Sequence, residues 1–281
     1  MRLARVRRGG KLCLAVKSEN GWVETPTTLA EIAAGAEPTR KGEAIADAEL
    51  GPLLGHPRKI ICVGRNYSEH TREMGNTESP WPEIFLRMSN TVIGPFDDIR
   101  LPAVSEQVDY EGELAVVIGR GGRHVPAAEA AEAILGYTIV NDVTVRDWQH
   151  RGKQWSPGKN FDGTLPVGPE LVTVDELDVG DLKLETRLNG ETVQSASTAQ
   201  LIFPVPDLIE FISSWVTLEP GDLICTGTPG GVGAARKPPL WLKDGDVVEV
   251  EIEGIGALRN PVVADGRTPA TDRWSKVAAG D

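Results

Sequence analysis

The feature that most restricts this chain is Val108-Asp109-Tyr110-Glu111-Gly112-Glu113-Leu114-Ala115-Val116-Val117-Ile118-Gly119, where acids run into an unbroken apolar segment. A strand sends successive side chains to opposite faces, so the pattern predicts Asp109, Glu111 and Glu113 on one face. Leu114 to Ile118 is apolar at every position, as in a strand covered on both sides. The acids then stand at the rim of a core, close enough to repel one another. A hard divalent cation held by carboxylate oxygens relieves that repulsion, and a solvated polar strand end is the plainer alternative.

The length of 281 residues suits one large domain, or one domain with a small appendage. With 29 Lys and Arg against 41 Asp and Glu the net charge is −12, a field that repels a phosphate backbone and argues against nucleic acid as a partner. The cysteines Cys13, Cys62 and Cys225 are odd in number, far apart in sequence and set among apolar neighbours. They read as buried thiols of a reducing compartment, without zinc spacing. Arg2, Arg5, Arg7 and Arg8 are followed by Gly9-Gly10-Lys11 instead of an apolar leader, and no long apolar run suggests a membrane span, so a cytoplasmic protein is expected.

Residues 1–55 read as a small N-terminal β-hairpin module, with turns at Gly9-Gly10 and Asn20-Gly21 and a capping box at Thr28 to Glu31. The main domain is expected over 56–263 and a polar tail over 264–281. Lys59 to Gly64 is a short buried strand leading into a helix over Ser68 to Met74 that Gly75 ends, and this helix sets His70 and Glu73 on one face. The polar loop from Asn76 to Pro82 could move as a lid. A strand follows over Ile84 to Met88, then a short helix from Pro126 to Leu135 and a strand from Tyr137 that Asp142 ends. A helix from Val143 onward would align Asp142, Arg146 and Gln149, and a helix opening at Pro206 would turn Leu208, Ile209, Ile212 and Trp215 inward. Short strands outnumber helices, and no regular alternation supports a doubly wound sheet; the class is β-rich α+β.

Glu111, Glu113 and Asp142 offer an all-oxygen ligand set that suits Mg²⁺, Mn²⁺ or Ca²⁺ better than zinc. An anionic substrate beside them needs cations, which Arg65, Arg87, Arg146 and Lys159 could provide, although each alone also suits a surface ion pair. His70 with Glu73 has the arrangement of a general base whose carboxylate fixes the imidazole tautomer, and the same spacing serves a surface pair. His56, His124 and His150 have no acid in helical register and receive no role. Gly227-Thr228-Pro229-Gly230-Gly231-Val232-Gly233 lacks the spacing of a nucleotide-binding loop, and its amides with the Thr228 hydroxyl suggest a carboxylate cradle.

Taken in order, Val63-Gly64-Arg65-Asn66-Tyr67 with His70 and Glu73, Asp109 to Leu114, Asn141-Asp142 through Arg146-Asp147, Gly158-Lys159, and Gly221-Asp222 through Gly233 resemble the fumarylacetoacetate hydrolase family. The resemblance runs from about Arg58 to Val263. It implies a mixed β-roll with few helices, usually a homodimer, with Glu111, Glu113 and Asp142 as Mg²⁺ or Mn²⁺ ligands. It further implies His70 and Glu73 as the base and Lys159 as the active-site lysine. Tyr67, Arg146, Gln149 and Thr228 fall where relatives contact substrate, and Arg65 and Arg87 are the further cations expected to bind it. Arg87-Met88 stands where relatives often have Lys-Pro, and Asn160 follows Lys159 where serine is common.

The activity so implied is cleavage of a carbon–carbon bond in a small anionic 2,4-dioxo acid, with His70 activating water. Decarboxylation of a β-keto acid such as oxaloacetate, or isomerisation of a hydroxymuconate, uses the same residues. A catalytically silent metal-binding protein is the reading from another class.

Overall fold

In the computed structural model, which describes residues 1–266, the acidic segment divides in two. Gly112–Ile118 is a strand buried at every position, whereas Val108–Asp109 belongs to a separate two-stranded ladder with Thr144–Val145. The strand Gly112–Ile118 lies inside a 12-stranded sheet, between the antiparallel strands Ile134–Asn141 and Leu223–Cys225. Beyond Leu223–Cys225 come the parallel strand Ile60–Gly64 and the edge strand Glu83–Arg87.

Period-two alternation in Gly112–Ile118 feeds two cores, which is why the run has no polar face. Leu114, Val116 and Ile118 meet Leu184, Val250 and Ile252 of a second, five-stranded sheet, together with Leu208, Ile209 and Ile212 of the helix Val205–Trp215. Ala115 and Val117 face the other way, toward Leu3, Leu165, Val167 and Leu223. Sheets of mixed direction with few and short helices match the expected class.

Residues 1–55 do form hairpins, and Thr28 and Glu31 make the reciprocal capping box, but these strands are not a sheet of their own. Arg2 and Leu3 pair with Val172 and Leu171 of the strand Leu165–Thr173, so the N-terminal hairpins prolong the main sheet. Leu3 is fully buried in the core it shares with Leu165 and Leu171.

Four local expectations change. The Ala-rich helix stops at Ala133, and Ile134, Leu135 and Gly136 already belong to the strand Ile134–Asn141, whose sheet partners outweigh the helical propensity around it. The helix expected from Val143 starts at Arg146, because Thr144–Val145 is taken by the ladder to Val108–Asp109. Trp215 is 47% exposed, since it is the last helical residue and Val216 is already extended beyond it. Cys13 is only half-buried, whereas Cys62 and Cys225 are buried as register neighbours in adjacent parallel strands, and all three are free. The polar tail expected from residue 264 lies, beyond residue 266, outside the described residues; Ala264 itself ends the strand Gly256–Ala264.

Candidate metal centre

Two strand rules bring three carboxylates together. Glu111 and Glu113 are two apart and so share a face, and Gly112 pairs with Asn141 across the ladder, so Asp142 emerges opposite Glu111. The backbone N–H of Asp142 donates to the Glu111 carbonyl at 2.8 Å, and the Asn141 side-chain oxygen accepts from Glu111 N at 2.9 Å. One oxygen from each of Glu111, Glu113 and Asp142 lies within 4.8 Å of the others, and all three residues are buried.

Gly112, between Glu111 and Glu113, is where the second sheet presses on the first. A Cβ there would fall 2.3 Å from Thr186 Oγ1 and 2.8 Å from Val250 Cγ1. Gly112→Ala is therefore expected to lower stability by about 1–3 kcal/mol and to weaken cation binding together with it. A denaturant midpoint and a metal titration on the same sample check both.

The expected third member of the acidic row, Asp109, does not join the triad. The chain leaves strand geometry at Tyr110 and Glu111, and Asp109 turns to Arg146, taking a hydrogen bond from Nε at 2.8 Å. It also accepts from the amides of Gly233 at 2.7 Å and Ala234 at 3.0 Å. The Gly-rich loop is thus a cradle for the protein's own acids: Gly227 N donates to Glu113 Oε2 at 2.9 Å and Gly231 N to Glu73 Oε2 at 2.8 Å. Thr228 donates to the Gly112 carbonyl at 3.0 Å and accepts from Gln194 at 2.8 Å while still lining the cavity.

Four buried acids, Asp109, Glu111, Glu113 and Asp142, face three buried cations, Arg87, Arg146 and Lys159. Lys159 Nζ bridges Glu111 Oε2 at 2.6 Å and Asp142 Oδ2 at 2.7 Å. Arg146 Nη2 lies 2.6 Å from Glu111 Oε1, and Nη1 donates to Gln149 Oε1 at 3.1 Å. Arg87 sits behind Asp142, donating to its Oδ1 and to the Thr164 carbonyl and hydroxyl at 2.9 and 2.6 Å.

Burial alone would raise Glu111, but Lys159, then Arg146 and His70, bring it down to about 2. Lys159 stays above the ordinary lysine value, because Asp142 and Glu111 outweigh the effect of burial. Glu113 has no cation partner among the described residues, and burial, followed by the charge of Asp142, pushes its carboxyl well above the usual range. A divalent cation among the three oxygens would supply the missing positive charge at Glu113, and an all-carboxylate donor set is what Mg²⁺, Mn²⁺ or Ca²⁺ requires. The residues present fit such an ion.

Two members of the triad, Glu111 and Glu113, form part of the wall of a cavity of about 210 Å³. His70 lies in the same wall, its Nδ1 2.9 Å from Glu73 Oε1, which leaves Nε2 as the ring atom free for a ligand. Arg65, at φ 56°, carries the chain out of Ile60–Gly64 toward the helix Ser68–Glu73, and its guanidinium pairs with Glu83 and lies 5.4 Å from the Trp155 ring. Trp155 packs edge-on to Phe85, giving the cavity an apolar side.

Of the twelve residues singled out from sequence, His70, Lys159, Arg65, Arg146, Gln149, Thr228, Glu111 and Glu113 line the cavity. Asp142 and Glu73 reach it through Lys159 and His70. Arg87 and Tyr67 do not line it. Arg87 turns its terminal nitrogens to Asp142, Val143 and Thr164 and leaves its buried Nε unpartnered, and Tyr67 is buried with its hydroxyl unpartnered, its pKa raised by burial and then by Glu113. Sequence reasoning missed His150, which does line the cavity; its position next to Gln149 was the available signal.

Comparison with known proteins gives a consistent result. Residues 59–263 match the family described as fumarylacetoacetate (FAA) hydrolase C-terminal. The chain is 49% identical to the Rattus norvegicus and Homo sapiens proteins named oxaloacetate tautomerase Fahd2a and FAHD2A, mitochondrial, with 76% of this chain and 69% of each relative covered. A solved fumarylacetoacetate hydrolase from Exiguobacterium antarcticum superposes with a TM-score of 0.84 at 40% identity, over 94% of this chain and 99% of that one. The 5-carboxymethyl-2-hydroxymuconate delta-isomerase of Mycobacterium smegmatis gives 0.81, also at 40% identity, over 95% and 100%. Among the described residues no helix is long and apolar enough to cross a membrane. Matched by sequence over its main domain and by fold over nearly its whole length, this chain belongs to the fumarylacetoacetate hydrolase family.

Proposed function

We propose that this enzyme moves a proton between carbon and oxygen of a short 2-oxo dicarboxylic acid, oxaloacetate being the simplest, as a keto–enol tautomerase dependent on Mg²⁺ or Mn²⁺, with Ca²⁺ a further candidate. The observation that carries the reading is one small cavity lined by an acid-supported imidazole, a buried ammonium and two of the three clustered carboxylates, the third lying behind the ammonium. Its volume of about 210 Å³ lies below the roughly 300–1,000 Å³ of sites for drug-sized ligands, which favours a compact acid. The names of the 49%-identical relatives point the same way.

In this reading His70 Nε2 takes a proton from the carbon beside the 2-oxo group, and Glu73 supports the imidazolium that forms. Lys159 turns an N–H toward the oxygen on which charge develops, and Arg146 holds Glu111 in place beside it. A divalent cation held by Glu111, Glu113 and Asp142 supplies Lewis acidity toward the 2-oxo and carboxylate oxygens when bound. His70 then returns its proton to the oxygen, so the substrate is isomerised and no water is consumed. The loop from Asn76 to Pro82 leaves the cavity wall at Asn76, where its closure would exclude solvent.

The test follows oxaloacetate in D₂O with added Mg²⁺ or Mn²⁺. Faster loss of enol absorbance and faster deuterium entry beside the oxo group are expected, and no acceleration over buffer would overturn the reading. The second reading, hydrolytic cleavage of an acylpyruvate, keeps the same residues but lets His70 activate water. Release of pyruvate and acetate from acetylpyruvate measures it, and carbon dioxide release from oxaloacetate measures decarboxylation. Its three unpaired thiols suit a reducing compartment, the cytoplasm in this reading, while the mammalian relatives are named as mitochondrial. A homodimer is expected from the family, and the exposed Leu86 and Met88, on and just beyond the edge strand Glu83–Arg87, offer apolar surface for it.

A further inference from the structure

The cavity has a floor and a mouth of different character. Glu111, Glu113, Lys159 and Thr228 are all at most 5% exposed, whereas His150 is exposed at the end of the short helix Arg146–Gln149. A ligand whose oxo acid end reaches the carboxylate triad therefore points its far end outward, past His150.

The basic side chains of the wall are already matched, with this one exception. Arg65 pairs with Glu83, His70 with Glu73, Arg146 with Asp109 and Glu111, and Lys159 with Glu111 and Asp142. Among the described residues the His150 ring has neither an ion-pair nor a hydrogen-bond partner. Its neighbour Gln149 has given its side-chain oxygen to Arg146, which leaves the amide N–H groups as donors. A second carboxylate entering an acid-lined cavity needs donors that no internal acid has claimed, and these two adjacent residues supply them.

We infer that His150, assisted by the Gln149 amide, receives the distal carboxylate of the substrate and selects dicarboxylic over monocarboxylic 2-oxo acids. This rests on the functional reading above and adds the residue that sets its substrate class. An imidazole donates one N–H when neutral and two when charged, so the contact does not depend on a particular protonation state.

The test uses two unreactive hydroxy acids, malate and 2-hydroxybutyrate, which share the end that meets the metal and differ only in the distal carboxylate. Each is titrated calorimetrically into Mn²⁺-loaded protein. The wild type is expected to bind malate about tenfold or more tightly than 2-hydroxybutyrate. His150→Ala, an exposed position that leaves the core untouched, should bring that ratio to within about twofold of one, while His150→Gln, which keeps a donor, retains part of it. Equal binding by the wild type would overturn the inference, as would an unchanged ratio in His150→Ala. A ratio that survives there but collapses in Arg65→Ala would move the second carboxylate to Arg65 and overturn it equally. Oxaloacetate turnover measured alongside separates the two failures: no turnover with no binding sinks the functional reading, whereas turnover with an indifferent ratio sinks only the role of His150.

Discussion

Replacing His70 with asparagine is expected to lower turnover of oxaloacetate by about 10²–10⁴-fold while Mn²⁺ affinity stays within a few-fold of the wild type. The separation follows from the geometry. His70 meets the triad only through the cavity, whereas its own hydrogen bond goes to Glu73, whose second oxygen is anchored by the Gly231 amide. Removing the imidazole takes away the proton acceptor and leaves the three carboxylates, Lys159 and Arg146 where they are. Asparagine can still hydrogen-bond to Glu73, so the helix Ser68–Glu73 keeps its anchor. The same variant also discriminates between chemistries. Decarboxylation of a β-keto acid needs no base, so a His70→Asn enzyme that still releases carbon dioxide but no longer speeds enol loss would assign His70 to proton transfer alone. Full-rate tautomerisation by the variant would remove His70 from the mechanism.

The part of this site that periodicity can reach is the pair Glu111 and Glu113, because i and i+2 share a face in any strand. Asp142 is different in kind. Its position opposite Glu111 depends on the register between Gly112–Ile118 and Ile134–Asn141, and register is a non-local quantity that no window of sequence contains. It could be nominated as an acid ending a strand, but convergence required the ladder. Asp109 shows the reverse failure: strict alternation placed it with the other two, and no glycine or proline between Val108 and Glu111 marks the break. What pulls it away lies 37 residues on in Arg146 and over 120 residues on in the Gly233 and Ala234 amides. Arg87 was legible as a cation on a strand near the site, but not as the buried partner behind Asp142, since a strand pattern says which face a residue takes and nothing about what covers it. Among the described residues His150 pairs with no acid, so no partner marks it in the sequence, and the same lack of internal partners leaves its ring open to a ligand.

The fold was legible for a related reason. An apolar run with no polar face requires two covering layers, and the two separate clusters around Leu114, Val116 and Ile118 and around Ala115 and Val117 are those layers. The N-terminal hairpins could be found from their turns, but their continuity with the main sheet rests on two residue pairs, Arg2 with Val172 and Leu3 with Leu171. Nothing local to residues 1–55 specifies that edge.

Glu113→Gln is expected to weaken Mg²⁺ or Mn²⁺ binding by about 100-fold or more, to reduce turnover to the level of chelator-treated wild type, and to leave the metal-free protein no less stable at pH 8. The last outcome separates a ligand from a structural acid. Glu111 is stabilised as a carboxylate by Lys159 and Arg146, and its depressed pKa contributes stability above the ordinary carboxylate value that is lost as pH falls toward about 2. Glu113 has the opposite sign: with its pKa raised, the metal-free fold holds a proton that the unfolded chain has released, so stability falls as pH rises from the ordinary carboxylate value toward the raised one. Glutamine keeps the acceptor for the Gly227 amide and removes the titration, so this slope should flatten in urea midpoints measured from pH 5 to 8. For the same reason cation binding to the wild type must expel the Glu113 proton, which makes affinity rise with pH and makes the binding heat depend on the buffer's ionisation enthalpy. Both dependences should weaken in Glu113→Gln. A variant that lost stability as Glu111→Gln would, and kept its metal, would show that the negative charge at position 113 serves the fold and not an ion.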